Sequence, residues 1–248
     1  MKFKMKNDKI DEHIKYCQSL KAEEILHEAF KFFNKNVEVA VSFGAEDVVL
    51  IDMVSKLKID IGIFTIDTKR LNKETYDLIK EIKQKYNLKI EILYPNESSV
   101  RKMVDAKGVN LFYDSVENRK ECCGVRKVAP LKKKLNSLGG WITGVRGDQN
   151  QNRSDFKKVE LDENWENNLI KYNPLVDWSY EQVFDYISKH KVPYNKLHDE
   201  GYPSIGCEPC TRAIKKGEDF RSGRWFWEKN GNTECGLHIK QAKKKGEF

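Results

Sequence analysis

Val37-Glu38-Val39-Ala40-Val41-Ser42-Phe43-Gly44-Ala45-Glu46-Asp47-Val48-Val49-Leu50 is the stretch that decides the fold. Its apolar residues alternate at first, which predicts a strand over Val37–Phe43. The small-residue loop Ser42-Phe43-Gly44-Ala45 then leads into a helix through Leu57. A strand passing through a short loop into a helix is the opening of a βαβ unit. The same rhythm continues with a strand over Ile59–Ile66, a Glu- and Lys-rich helix over Asn72–Tyr86, and a strand over Leu88–Tyr94 that Pro95 ends. A helix follows Asn96. The Ala129-Pro130 step breaks or starts a helix running to Leu138, Gly139-Gly140 stops it, and Trp141–Val145 forms a fourth strand. Arg146–Arg153 is polar and reads as a functional loop. Ser179 caps a helix over Ser179–His190, and after Val192 the chain is loop-rich. Upstream, Asp11–Phe33 reads as one amphipathic helix that holds Cys17 as a small buried hydrophobe. Strands alternating with helices predict an α/β fold, a mostly parallel sheet with helices on both faces.

The chain has 248 residues, 39% hydrophobic and 33% charged, enough for one large α/β domain. Its formal charge of +7 suits an anionic partner. The lysines are scattered, however, and Lys243-Lys244-Lys245 reads as a solvated tail, so no nucleic-acid partner is expected. Met1–His13 has no apolar signal-peptide core, and no run approaches the roughly 18 apolar residues of a membrane span. A cytoplasmic protein with no membrane partner is expected. In a reducing compartment its six cysteines are metal-binding, catalytic or buried rather than disulfide-bonded.

Several residues carry chemistry. Ser42 and Gly44 belong to a small-residue loop at a helix start, where backbone N–H groups and the helix dipole favour an anion. The loop lacks a Walker lysine, which argues against ordinary P-loop ATP hydrolysis. Cys207 and Cys210, two residues apart, can reach one metal centre, and Cys122-Cys123 supply a second pair. Adjacent cysteines fit two corners of one zinc tetrahedron poorly and an iron–sulfur cube better, but spacing leaves both metals open. Arg221 and Arg224 can fork onto phosphate or sulfate oxygens, beside Trp225-Phe226-Trp227, which by themselves read as core. Lys127 follows the cysteine pair and is either near the metal centre or an ordinary surface lysine. Cys235 has Gly236 and His238 close by. A thiolate with a cation nearby is a nucleophile, although an isolated Cys-x-x-His reads more simply as a buried thiol. His198 takes no assigned role.

Together these residues resemble the assimilatory adenylyl-sulfate reductases, the iron–sulfur branch of the sulfonucleotide (PAPS/APS) reductase family. The resemblance spans roughly Val37–His238. It is carried by Ser42–Asp47, Asp67-Thr68, Asn72–Tyr76, Glu121-Cys122-Cys123, Val125–Val128, Thr143-Gly144, Asp148-Gln149, Arg153-Ser154, Tyr172-Asn173-Pro174, Gly201-Tyr202, Ser204–Arg212, Gly223-Arg224-Trp225 and Glu234–His238. It implies an adenine-nucleotide α-hydrolase-like (PP-loop-like) fold, and one 4Fe-4S cluster per subunit on Cys122, Cys123, Cys207 and Cys210. Cys235 is then the nucleophile that takes the sulfo group of adenosine 5′-phosphosulfate (APS), leaving AMP and an S-sulfo-cysteine. A separate thioredoxin or glutaredoxin releases sulfite, because the chain has no room for a C-terminal redoxin domain. Lys127, Arg153, Arg221, Arg224 and His238 match anion-pocket and C-terminal-segment residues, and Ser42, Gly44 and Asp67 match nucleotide-side positions. The implied division is an N-terminal helical segment (1–36), a sulfonucleotide-binding α/β domain (37–205) and a cluster-binding catalytic segment (206–248), all within one structural domain. Oligomeric state stays open.

Departures from the family pattern bear on nucleotide contacts. Lys69 stands where many relatives have Gly in Asp-Thr-Gly-Arg, Val145 where many have Gln, and Phe226 where Trp is common. The loop after the first strand also lacks a serine. Reduction of the 3′-phosphorylated nucleotide (PAPS), or of both, is the nearest alternative. A PP-loop tRNA-modifying enzyme needs a Ser-Gly-Gly-x-Asp-Ser type loop that Ser42–Asp47 does not supply, and a zinc-stapled binding module is the non-catalytic alternative.

Overall fold

Side chains on successive strand residues point to opposite faces, so the strand Val37–Val41 serves two cores. Val37, Val39 and Val41 pack into one hydrophobic cluster while Ala40 borders the other. The computed structural model describes residues 7–149, 153, 155–165 and 169–228. In chain order these form α1 (Asn7–Cys17), α2 (Ala22–Phe33), β1 (Val37–Val41), α3 (Ala45–Leu57), β2 (Gly62–Ile66), α4 (Lys73–Tyr86), β3 (Ile90–Leu93), α5 (Glu97–Lys107), α6 (Val116–Cys123), α7 (Ala129–Leu135), β4 (Gly140–Ile142), β5 (Val159–Leu161), β6 (Ile170–Tyr172) and α8 (Tyr180–His190). The six-stranded sheet has the order β3-β2-β1-β4-β6-β5. All neighbours are parallel except β5 against β6. Ile25, Leu26, Val49, Ile82 and Ile187 cover one face, and Met103, Leu131 and Leu135 cover the other. The α/β class, the mostly parallel sheet and the two helical layers are as expected from the sequence.

Differences have local causes. The single helix expected over Asp11–Phe33 is two. The chain turns at Gln18–Leu20 through hydrogen bonds to the carbonyls of Lys15, Tyr16 and Cys17. It restarts where the Glu24 carboxylate accepts from the Lys21 amide at 2.7 Å. No Gly or Pro marks that break; Gln18 holds it by donating to Val159 O at 2.6 Å. The helix expected from Ala129 instead continues a helical run from α6 through a π-helical stretch over Gly124–Val128. Two strands went unforeseen. Ile170-Lys171-Tyr172 of β6 is three residues long and buried throughout, too short for a period to show, and Lys171 hides its ammonium 4.1 Å from the centre of the Phe156 ring. Among the described residues, no helix is long and apolar enough to cross a membrane.

Candidate active site

β1 and β4 lie side by side and parallel, but the chain leaves β1 toward β2 and leaves β4 toward β6 on the other side. Loops diverge at such a switch point and open a crevice beyond the carboxyl ends of the strands, the usual ligand position in open α/β sheets. A cleft of about 220 Å³ sits there. Ser42, Gly44, Lys127, Arg153, Arg221 and Arg224 all line it, as do Cys122, Cys123, Cys207 and Cys210. The structure thus gathers ten of the thirteen expected site residues in one place. Asp67 is not among the lining residues, and Cys235 and His238 lie outside the described residues.

The cleft floor is the start of α3. Asp47 accepts from the Ser42 amide at 2.6 Å and from the Ser42 hydroxyl at 2.8 Å. The loop expected to cradle an anion therefore already holds one, the protein's own carboxylate. Burial pushes the Asp47 carboxyl up from 3.8 to about 6, the Ser42 hydrogen bonds pull it down, and the nearby Glu46 charge adds a further upward push. Glu46 in turn accepts from Arg146 Nε at 2.7 Å and from Gln149 Nε2 at 2.8 Å. Phe43, between strand and helix, takes φ 63°, a conformation unusual for a bulky residue and typical of loops held by their surroundings.

Asp47 makes stability pH-dependent. Its folded value lies above 3.8, so the unfolded chain gives up this proton first and folding is progressively penalised as pH rises. The penalty is absent well below pH 3.8 and complete above about pH 6, worth on the order of 3 kcal/mol at about 1.4 kcal/mol per pH unit. Asp47→Asn is expected to raise the melting temperature at pH 7.5 and to flatten this part of the stability profile between about pH 4 and 6. Thermal melts of both proteins across that range check this; parallel profiles would refute it.

Gly144 is where the β4 loop meets α3. A Cβ there would stand 2.4 Å from Asp47 Oδ1, 2.9 Å from Glu46 Cβ and 3.2 Å from the Asp47 amide. Backbone cannot yield as a flexible side chain can. Gly144→Ala is expected to cost about 1–3 kcal/mol by overpacking, measurable by calorimetry as a lower melting temperature.

One wall is built by α6 and its π-helical continuation. A π turn carries an extra residue and is frequent at functional sites. Within it Arg126 is buried and donates from Nη1 to Thr68 O at 3.0 Å. Near this wall, Cys207 precedes and Cys210 closes a 3₁₀ turn over Glu208–Cys210. Asn72 Nδ2 ties that turn to the β2 loop through Gly206 O at 3.0 Å, and the Glu208 amide does so through Arg70 O at 2.9 Å. Thr68 Oγ1 lies 3.2 Å from Cys207 Sγ. Burial pushes the Cys210 thiol far up, with Cys207, Cys123 and Cys122 adding to it. Burial also raises Cys122, and the Arg126 guanidinium draws it back down. All four cysteines line the same cleft. Among the described residues, no three of His, Cys, Asp and Glu are placed to hold a single metal ion.

The arginines stand beside the Cys207 turn. Arg221 Nη1 and Arg224 Nη1 both reach the Ser204 hydroxyl, at 3.3 and 3.4 Å. A Cβ on Gly206 would stand 2.3 Å from Arg224 Nη2, so a glycine there lets the guanidinium lie flat against the backbone. Asp67 is spent on its own loop: it accepts from the Lys69 amide at 2.7 Å and from the Tyr76 hydroxyl at 2.8 Å. Lys69 has φ 62°, which explains why glycine suits this position in Asp-Thr-Gly-Arg. Its ammonium pairs with Asp67 at 3.3 Å and lies over the Tyr94 ring.

With the site in view, residues 36–213 match the family described as Phosphoadenosine phosphosulfate reductase domain. The chain belongs to the phosphoadenosine phosphosulfate reductase family. Among its relatives in that family, the adenosine 5′-phosphosulfate reductase of Burkholderia cepacia is 46% identical over 203 residues, covering 82% of this chain and 80% of that protein. The one from Neisseria meningitidis serogroup B is 42% identical over 206 residues, covering 83% of each. The phosphoadenylyl-sulfate reductase of Candida auris, solved as a phosphate complex, superimposes with a TM-score of 0.72 at 28% identity, over 86% of this chain and all of that one. The Candida glabrata FMN adenylyltransferase bound to FMN and an ATP analogue shares the fold at TM-score 0.53 and 17% identity, over 84% of this chain and 67% of that one. The expected PP-loop-like reductase fold is therefore the fold of this family member.

Sequence reasoning overlooked part of this cleft. Thr68 and Arg126 were noted only as neighbours of other residues, and Glu46 only as part of a loop. Arg146 was read as loop although it is fully buried. Their roles come from partners distant in sequence, and no spacing rule exposes such pairs.

Proposed function

We propose that this protein reduces adenosine 5′-phosphosulfate to sulfite and AMP in assimilatory sulfate reduction, the route that supplies sulfur for cysteine biosynthesis. The observation that carries this reading is the convergence of four cysteines and two rim arginines on one cleft at the switch point. The names of the relatives support it.

Cys235 is the nucleophile in this reading. Its thiolate attacks the sulfur of the sulfo group, the bond from that sulfur to the phosphate oxygen breaks, and AMP leaves with the electron pair. The product is Cys235 S-sulfonate. A dithiol of the thioredoxin or glutaredoxin class then attacks Cys235 Sγ and expels sulfite. The resulting mixed disulfide resolves within the redoxin, which supplies both electrons. Lys127, Arg153, Arg221 and Arg224 hold the phosphosulfate and offset the charge growing on the leaving phosphate. His238, three residues beyond Cys235, favours the thiolate.

Cys122, Cys123, Cys207 and Cys210 would hold a 4Fe-4S cluster. The donor set fits: four thiols are the usual ligands of such a cluster, and Arg126, Lys127 and Arg224 line the same cleft and offset an anionic group. One zinc fits less well, because four sulfurs around it stand roughly 3.8 Å apart, and no described group is gathered to hold one ion. When bound, the cluster would cross-link α6 to the 207–210 turn and set the electrostatics of that wall.

The 3′-phosphorylated nucleotide is the second reading, favoured by the likeness to the Candida auris enzyme. The relatives named adenosine 5′-phosphosulfate reductase, at 42% and 46% identity, count for the unphosphorylated nucleotide. Sulfite release with excess thioredoxin, measured on both nucleotides, decides. A kcat/KM at least tenfold higher for APS supports the proposal, whereas a preference for PAPS sinks the substrate assignment.

A further inference from the structure

The last described turn of the chain is fastened more firmly than its surroundings require. Arg119, on the same helix as Cys122 and Cys123, donates from Nε and Nη2 to the two oxygens of Glu228, both at 2.8 Å. Each side chain is only 4% exposed. The Arg119 guanidinium also lies 4.3 Å from the centre of the Trp225 ring, and Arg224 lies 5.0 Å from it. The indole is thus flanked by a helix arginine and a rim arginine. Trp225 takes φ 47°, a left-handed conformation that costs a bulky residue about 1 kcal/mol or more. Its amide donates to Cys210 O at 3.1 Å, and the Glu228 amide donates to Trp225 O at 2.9 Å. Trp227 packs against Tyr113 and Phe112.

A two-point, buried, charge-assisted pair is the geometry that sets orientation rather than mere proximity. Strain held at Trp225 marks the same short turn as over-determined by its neighbours. Arg224, in the cleft rim, and Glu228 are four residues apart, and Cys235 follows Glu228 by seven residues. Seven residues span at most about 25 Å, so fixing Glu228 bounds the positions open to the Cys235 thiol. Effective concentration of a tethered group depends on where its tether starts.

We propose that Arg119 and Glu228 are positioning residues for sulfur transfer: their buried ion pair, seated on Trp225, fixes the origin of the segment that carries Cys235. This rests on Cys235 being the nucleophile. Glu228 is not among the residues that line the cleft, and its replacement slows attack on the sulfo group while leaving nucleotide affinity and the cluster intact; Arg119 does line the cleft, so the test is made at Glu228.

The test uses the full-length, cluster-loaded protein with APS and no reductant, following formation of the S-sulfo adduct in a single turnover. Glu228→Asp keeps the charge but withdraws the carboxylate by one methylene, and Glu228→Gln keeps the shape but removes the charge. The adduct rate is expected to fall at least threefold in the first and at least tenfold in the second, with AMP affinity within twofold of wild type and visible absorbance retained. Unchanged adduct rates overturn the proposal. Loss of the cluster in both variants also overturns it, since the pair would then be building the wall rather than placing the tail. If the wild-type control forms no adduct on Cys235, the functional reading itself fails, and that outcome is distinct from both.

Discussion

Cys235→Ser is expected to release no sulfite from APS, with kcat lowered on the order of 10⁴-fold or more, as when the nucleophile of a covalent mechanism is removed. The hydroxyl that replaces the thiol is a far weaker nucleophile at neutral pH and forms no disulfide with a redoxin. The variant is expected to keep its cluster absorbance and to bind AMP within twofold of wild type. The proposed cluster ligands and the cleft-lining arginines all precede Cys235 in the chain. Steady-state assays, visible spectra and AMP titrations on one preparation check all three expectations. Residual turnover above one per cent of wild type, or loss of the cluster, would contradict the role given to Cys235.

The largest expected effect on stability is at Arg146. Its side chain is 1% exposed and its Nε donates to the buried Glu46 carboxylate at 2.7 Å; it also contacts Asp148. The cation sits between the Tyr180 and Phe220 rings, 5.7 Å from the centre of each. Arg146→Ala removes one partner of a buried pair and strands a carboxylate beside Asp47. Such breaks cost about 3–5 kcal/mol. For a chain of this size that corresponds to a melting temperature lower by roughly 6–20 °C. A second replacement, Glu46→Gln, in the same protein is expected to recover part of the loss because position 46 then carries no unpaired charge. Calorimetry on the single and double variants tests this. A shift below about 2 °C for Arg146→Ala would show that water reaches Glu46 and that the cleft floor is wetter than its burial indicates.

The fold was legible in the sequence wherever periodicity was clean. Val37–Val41, Gly62–Ile66 and Ile90–Leu93 alternate with long helices, and that rhythm admits little but a parallel sheet. It was not legible where a strand is too short for a period to show, as in Ile170–Tyr172, or where a side chain ends a helix, as Gln18 does. The site divides the same way. Paired cysteines and paired arginines advertise themselves, because their chemistry needs those residue types close together in the chain. Asp67 also stood out in a motif, yet its carboxylate is spent on Lys69 and Tyr76. Arg146, Glu46, Arg119 and Glu228 are ordinary surface residues by composition. Only partners about a hundred positions away make them buried pairs, and no local pattern announces such a partner.

Trapping the intermediate tests the proposed mechanism most directly. Cluster-loaded protein is incubated with APS without any thiol reductant, and the intact chain and its peptides are then weighed by mass spectrometry. The expected result is one added mass of roughly 80 Da, a sulfo group on a nucleophilic cysteine, located on Cys235, released as sulfite on adding reduced thioredoxin and absent from Cys235→Ser. An adduct on another cysteine, or none while AMP is still produced, would contradict attack by Cys235.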